Sequence, residues 1–304
     1  MKRYIILLFI LLTFFQQTLS ARMDDGTFNV SCTMFYELNV SGDFEVEIHP
    51  SDSSSVSVSV NPAFKDYVVL DESEGVLSLS FAEQDMSAEK KREFKSLAPK
   101  DLVFKAVVYT SAPLSSINLE DNACLTVCRS VADSSFLSIR ASDNASVKLD
   151  TLISSKVLLD FSKKASGSLY VAARSLTVNE GGSAKVSLGY SCESCELNLG
   201  ANSSIESEGV SSDLGVSSRG TSKLTLAGKS LNSKFEISGS SSVAALDLES
   251  IDAQVKMSSL SSLKLFCRDN LQLDLSSGST LGFKGTPRIE IIQVKASNIT
   301  PLEG

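Results

Sequence analysis

Tryptophan is absent from this 304-residue chain, and it has one histidine, six prolines and six tyrosines. The single imidazole, His49, leaves no second one for a histidine-rich metal cage or a paired acid and base. Without Trp, and with few Tyr, the chain lacks the ring platforms on which many sugar-processing enzymes stack their substrates. So little proline rules out a Pro-rich linker or a collagen-like chain. Positive charge is in the minority, 28 Lys and Arg against 36 Asp and Glu for a net −8, which opposes a nucleic-acid binder needing a basic face. No apolar run approaches the roughly twenty residues of a membrane span.

Serine is what the chain has in excess: 56 of its residues, far above ordinary usage. Apolar residues still make up 42%, enough to build a core. At the N-terminus Lys2 and Arg3 precede an apolar stretch from Tyr4 to Phe15, and Thr18-Leu19-Ser20 carries small residues where a leader is cut. The expectation is a signal peptide over residues 1–20, cleaved after Ser20. Cleavage gives an exported chain of net charge −10, located in the periplasm, at the cell surface or outside the cell, with no transmembrane segment remaining.

From Leu114 onward the chain repeats one unit: a short apolar–polar alternation, a small polar turn, then a second alternation. The register is plain in Ser116-Ile-Asn-Leu-Glu-Asp-Asn-Ala-Cys-Leu-Thr-Val127. It returns in Leu137-Ser-Ile-Arg-Ala-Ser-Asp-Asn-Ala-Ser-Val-Lys-Leu149 and later copies through Leu273-Asp-Leu275. Ile117 to Leu273 spans eight steps of about 19.5 residues each, a period of repeat arrays. Within a copy the period is two, so each segment is a strand with one buried face. Stacking such copies pairs every backbone group with the rungs above and below. The fold predicted is all-β: a right-handed parallel β-helix over residues 113–304, of about ten turns. Ile117, Ile139, Val178, Leu199, Ile237, Met257 and Leu275 are expected to form one inward ladder.

Residues 21–112 read differently, as an irregular N-terminal β region and cap. Phe44–Ile48, Val56–Val60 and Val76–Phe81 alternate as strands, Asp71–Gly75 reads as a hairpin or corner, and the charged, helix-compatible Ser87–Lys95 reads as a solvated loop or a short surface helix with Ser87 as its N-cap.

The opening strands Phe44-Glu-Val-Glu-Ile48 and Val56-Ser-Val-Ser-Val60, with Gly75-Val-Leu-Ser-Leu79, carry a resemblance. So do the unit Ile237-Ser-Gly-Ser-Ser-Ser-Val243 and the closing Leu275-Ser-Ser-Gly-Ser-Thr-Leu-Gly-Phe-Lys-Gly-Thr-Pro287. Together they resemble the auto-transporter adhesin head GIN domain family, common in Bacteroidetes. The resemblance covers most of the chain after the leader. It implies a right-handed β-helical, non-catalytic envelope protein and brings no catalytic residues with it.

The residues themselves offer little chemistry. Glycoside cleavage needs two carboxyl groups at a set separation, one with a raised pKa. Here Asp143, Asp150, Asp160, Glu180, Glu193, Glu196, Asp247, Glu249 and Asp252 are scattered and read as outward, solvated charges. His49 has no partner motif, and no Gly-x-Ser-x-Gly elbow is present. Cys192-Glu-Ser-Cys195 is a C-x-x-C motif between strands rather than at a helix start, so it reads as a candidate local disulfide. Cys124 and Cys128 lie about three rungs, roughly 14 Å, from that pair, too far to share a metal ion. The sequence thus predicts no catalytic, cofactor or metal residues. The expected role is an adhesin or interaction scaffold for an envelope or extracellular protein or glycan. The alternative is a carbohydrate-active β-helix enzyme, a polysaccharide lyase or hydrolase.

Overall fold

The structure, a computed structural model, describes residues 26–129 and 135–303. The leader read at residues 1–20 lies outside the described residues. From Ser116 to Pro301 every strand pairing is parallel, and the strands stack as a β-solenoid of about ten turns. Seven long strands carry its middle: Ser146–Phe161, Ser166–Glu180, Lys185–Leu199, Ser204–Ser218, Lys223–Ile237, Ser242–Met257 and Ser262–Ser276. The first half of each continues one face, begun by Cys124–Cys128; the second half continues the facing one, begun by Ser116–Leu119 and Leu137–Ala141. The apolar residues of the two faces meet in a single core.

The seven residues expected in one ladder are all buried, but in two columns. Ile117, Ile139 and Val178 share a column with Leu159, Leu197, Val216, Phe235, Val255 and Leu273. Leu199, Ile237, Met257 and Leu275 stand two residues further along, over Phe161, Glu180 and Ser218. Alternation fixes which residues point inward, but two inward residues on one strand satisfy it equally well.

Each rung turns on one left-handed residue. Asp121, Asp143, Lys163, Gly182, Ala201, Gly220, Gly239, Ser259 and Ser277 all have φ between 54° and 78°. Two residues later comes a small buried side chain: Ala123, Ala145, Ala165 and Ala184, then Ser203, Ser222, Ser241, Ser261 and Ser279, none more than 1% exposed. Ser203, Ser222, Ser241 and Ser261 donate their hydroxyls to the carbonyl three residues back, at 2.5 to 2.9 Å. These four serines therefore satisfy their own turns, and part of the serine excess lies in the core rather than on the surface.

The N-terminal end is out of sequence order. Glu37–Val40 and Glu45–Pro50 form a rung slotted between Ser116–Cys128 on one side and Val76–Phe81 with Phe104–Thr110 on the other. Beyond it, Ser55–Val60 pairs antiparallel with Phe104–Thr110 and Val68–Ser73 with Val76–Phe81, and Thr27–Ser31 pairs antiparallel with Ser55–Val60. The hairpin expected at Asp71–Gly75 forms, with Glu74 and Gly75 both at positive φ. Helix α1, Ala88–Ser96, also forms where expected, and Ser87 Oγ accepts from Lys90 N at 3.2 Å. It brings Phe94 against Phe64, Phe81 and Phe104, with ring centroids 5.2 to 6.1 Å apart, closing this end of the core.

Candidate functional site

The outward side chains of the second-half face stack as well, and in register. One column runs Asn39, Asn118, Arg140, Asp160, Asn179, Asn198, Ser217, Glu236. Four of its seven steps are stitched by side-chain contacts. Asn118 Nδ2 donates to Asn39 Oδ1 at 2.7 Å, Asn179 Nδ2 to Asp160 Oδ1 at 2.6 Å, and Asn198 Nδ2 to Asn179 Oδ1 at 3.0 Å. Arg140 Nε lies 3.3 Å from Asp160 Oδ2. An amide has both a donor and an acceptor, so asparagine can relay a hydrogen bond from rung to rung where a carboxylate could only end the chain.

Beside this spine, towards the C-terminal end, the face hollows into a trough of about 890 Å³. Its floor is the column Glu196, Gly215, Lys234, Gln254, Gln272, Glu290, five rung steps or roughly 24 Å long. A second column, Asp213, Asn232, Asp252, Asn270, Arg288, forms one wall. Asn232 Nδ2 donates to Asp213 Oδ1 at 2.9 Å and Asn270 Nδ2 to Asp252 Oδ1 at 2.6 Å. Gly215, at an outward position with no side chain, leaves room for the Glu196 carboxylate to lie over the backbone in the space a Cβ would take. Lys234 and Glu236 form an ion pair at 2.8 Å, which holds the Glu236 carboxyl below its usual range and raises the lysine.

Of the carboxylates singled out in the sequence, Glu196 and Asp252 line the trough, Asp160 belongs to the spine, and Asp143 pairs with Lys163 Nζ. Glu180 corrects the reading of outward charges. It faces into the coil, 5% exposed, in the column between Phe161 and Leu199. Neither carboxyl oxygen has a hydrogen-bond partner, and burial pushes its pKa up to about 8. The sequence held the signal, since Leu176, Val178 and Glu180 alternate in one phase. Asp213, Asn232, Asn270 and Gly215 escaped notice because each is unremarkable alone; only their recurrence every 18 to 20 residues places the three polar ones in one column.

His49 Nε2 lies 3.1 Å from Glu47 Oε2, and its ring faces Tyr109. The six cysteines are free of disulfides in this structure. Cys192 and Cys195 stand at the corner between the two faces, and the Cys195 thiol hydrogen-bonds to Cys192. This draws the Cys192 pKa down, while the same bond and burial raise that of Cys195. Among the described residues, no group of three or more His, Cys, Asp or Glu is placed to hold a metal ion, and no helix is long and apolar enough to cross a membrane.

A long parallel coil with a stacked polar face and a side trough defines a β-solenoid. The family comparison agrees. The model described as "Putative auto-transporter adhesin, head GIN domain" matches residues 34–206 and again 169–287. The chain belongs to that family, which is described by adhesion rather than by an enzymatic activity. Among solved structures, a "putative adhesin" from Parabacteroides merdae ATCC 43184 is 14% identical with a TM-score of 0.50, covering 91% of this chain and 95% of that one. A second, from Parabacteroides distasonis ATCC 8503, is 15% identical with a TM-score of 0.49, covering 91% and 96%. At these identities the likeness is one of fold. No curated protein matches the chain.

Proposed function

We propose that this chain is an exported, non-catalytic adhesin-type scaffold whose polar face binds an extended envelope or extracellular partner lying along the coil axis. The trough is the observation that carries this reading. It runs across several rungs and offers amide and carboxylate groups at the rung spacing, so contacts repeat along a chain-like partner. The mature charge of −10 disfavours nucleic acid and other polyanions.

One observation favours the enzyme alternative: the trough gathers the carboxylates of Glu196, Asp213, Glu236, Asp252 and Glu290. Their partners argue against it. Asp213 and Asp252 accept from asparagines, and Glu236 is ion-paired and held below its usual range. Glycoside cleavage by a carboxyl pair needs one member raised. The carboxyl raised to about 8 is Glu180, which points into the core and not into the trough.

The test is a binding screen of the exported chain against envelope proteins and acidic and neutral polysaccharides, with and without calcium. Removing residues 204–241, two whole rungs, joins Ser203 to Ser242 in matching phase and is expected to abolish binding while the remainder stays folded. A single alanine at Asn232 or Gln254 is expected to weaken binding by less than about tenfold, since the contact is distributed. Cleavage of any glycan that disappears in Asp213→Asn or Asp252→Asn would overturn the scaffold reading in favour of the lyase or hydrolase.

A further inference from the structure

The two ends of the solenoid are finished differently. The N-terminal end is closed by antiparallel strands and helix α1, with Phe64 and Phe94 buried beneath. The other end is the strand Arg288–Lys295, exposed along its whole length. Its inward positions continue the core columns: Ile289 follows Leu271, Ile291 follows Leu273 and Val294 follows Leu275. Those leucines are at most 1% exposed, whereas Ile289, Ile291 and Val294 are 41%, 59% and 40% exposed. Ile292, the extra residue of a bulge, is 62% exposed. The last rung thus offers the edge backbone groups and the aliphatic columns that every earlier rung covers with the next one.

We propose that a second copy of this chain covers this edge, Arg288–Lys295 pairing antiparallel with itself across a two-fold axis between Ile292 and Gln293. The charge pattern selects the register. In this pairing Glu290 stands opposite Lys295 of the other copy, and Ile291 opposite Val294, each pair occurring twice by symmetry. The neighbouring register, which sets Arg288 against Lys295, places like charges together. Inward residues meet inward residues, so the two cores become one. The neighbouring edge strand, Asn298–Pro301, contributes less, because Pro301 has no N–H to donate. About twelve edge residues at about 3.3 Å each, across faces about 10 Å apart, offer on the order of 400 Å² per copy. That places the contact in the weak, reversible class. The two-fold also sets the two troughs on one side of the joined coil, end to end.

Sedimentation velocity of the exported chain from about 1 to about 500 µM tests this over the range expected of a weak contact. A dimer whose fraction rises with concentration is expected. Glu290→Lys and Lys295→Glu should each weaken it about tenfold or more, and the double variant Glu290→Lys/Lys295→Glu should restore it. Ile291→Lys should leave a monomer. Circular dichroism and thermal melts establish that each variant is folded, and the double variant's recovery separates lost pairing from lost structure. A monomer throughout the range, a dimer indifferent to the charge exchanges, or open-ended polymers would each overturn the proposal.

Discussion

The ring of Phe161 fills the space that a side chain at Gly167 would need: a Cβ on that glycine would stand 2.7 Å from Phe161 Cζ and 3.2 Å from Val186 Cγ2. Gly167 interrupts an inward column otherwise aliphatic, Val147, Val186, Ile205, Leu224, Val243 and Leu263. The column holding Phe161 continues with Glu180, Leu199, Ser218 and Ile237. The large ring and the missing side chain are therefore one packing solution. Gly167→Val is expected to destabilise by about 1–3 kcal/mol through overpacking, and Phe161→Leu added to it should recover part of that loss. Urea melts of the two single variants and the double variant measure the coupling.

Glu180 makes stability depend on pH. Its folded pKa, about 8, lies above the ordinary 4.5, so the folded state holds its proton more tightly than the unfolded chain does. Its contribution is fully present below pH 4.5 and is lost as pH rises through about 8. The loss is on the order of a few kcal/mol. Glu180→Gln should remove this slope. Glu180→Leu should leave the protein more stable than wild type at pH 8. Chemical denaturation between pH 5 and pH 9, with each variant compared to wild type, reads out the difference; parallel curves would refute the assignment.

The turn column gives a matched pair of substitutions. Gly220 has φ 78°, and a Cβ there would stand 2.6 Å from the Ala201 carbonyl oxygen in the rung before, so Gly220→Ala should cost more than conformational strain alone. Ala201, at φ 54°, already bears that strain. Ala201→Gly should stabilise by up to about 1 kcal/mol. Opposite shifts in melting temperature are the expected result.

Thiol reactivity should be ordered. Cys192, drawn down by the Cys195 hydrogen bond, is expected to alkylate first; Cys195 and Cys267, both buried and raised, the latter to about 11, should follow only on unfolding. In an oxidising compartment the same proximity favours the Cys192–Cys195 disulfide proposed from their spacing. Peptide mass mapping of protein kept under oxidising conditions distinguishes the bridged from the free pair.

The coil was legible because its period is short and its alternation strict: residues 18 to 22 apart share a fate, and Ile117, Val178 or Leu275 could be placed inward from sequence alone. The N-terminal rung was not, since Glu37–Pro50 pairs with segments about 40, 60 and 80 residues away, leaving no repeat to read. The trough was hidden for another reason. It depends on columns of residues 18 to 20 apart and on hydrogen bonds between rungs, neither of which is expressed in any single copy. Glu180 departs from the outward-charge expectation because its place in the alternation, not its charge, sets which way it points.

The parallel stacking also decides how this molecule bears a load. The hydrogen bonds between rungs run along the coil axis, so tension applied at the C-terminal end pulls the last strand away from its one neighbour bond by bond. Each rung that peels releases about 19 residues, on the order of 60 Å of extended chain at about 3.3 Å per residue. A tether made this way lengthens in equal increments under pull and keeps the remaining rungs, and whatever they hold, in place.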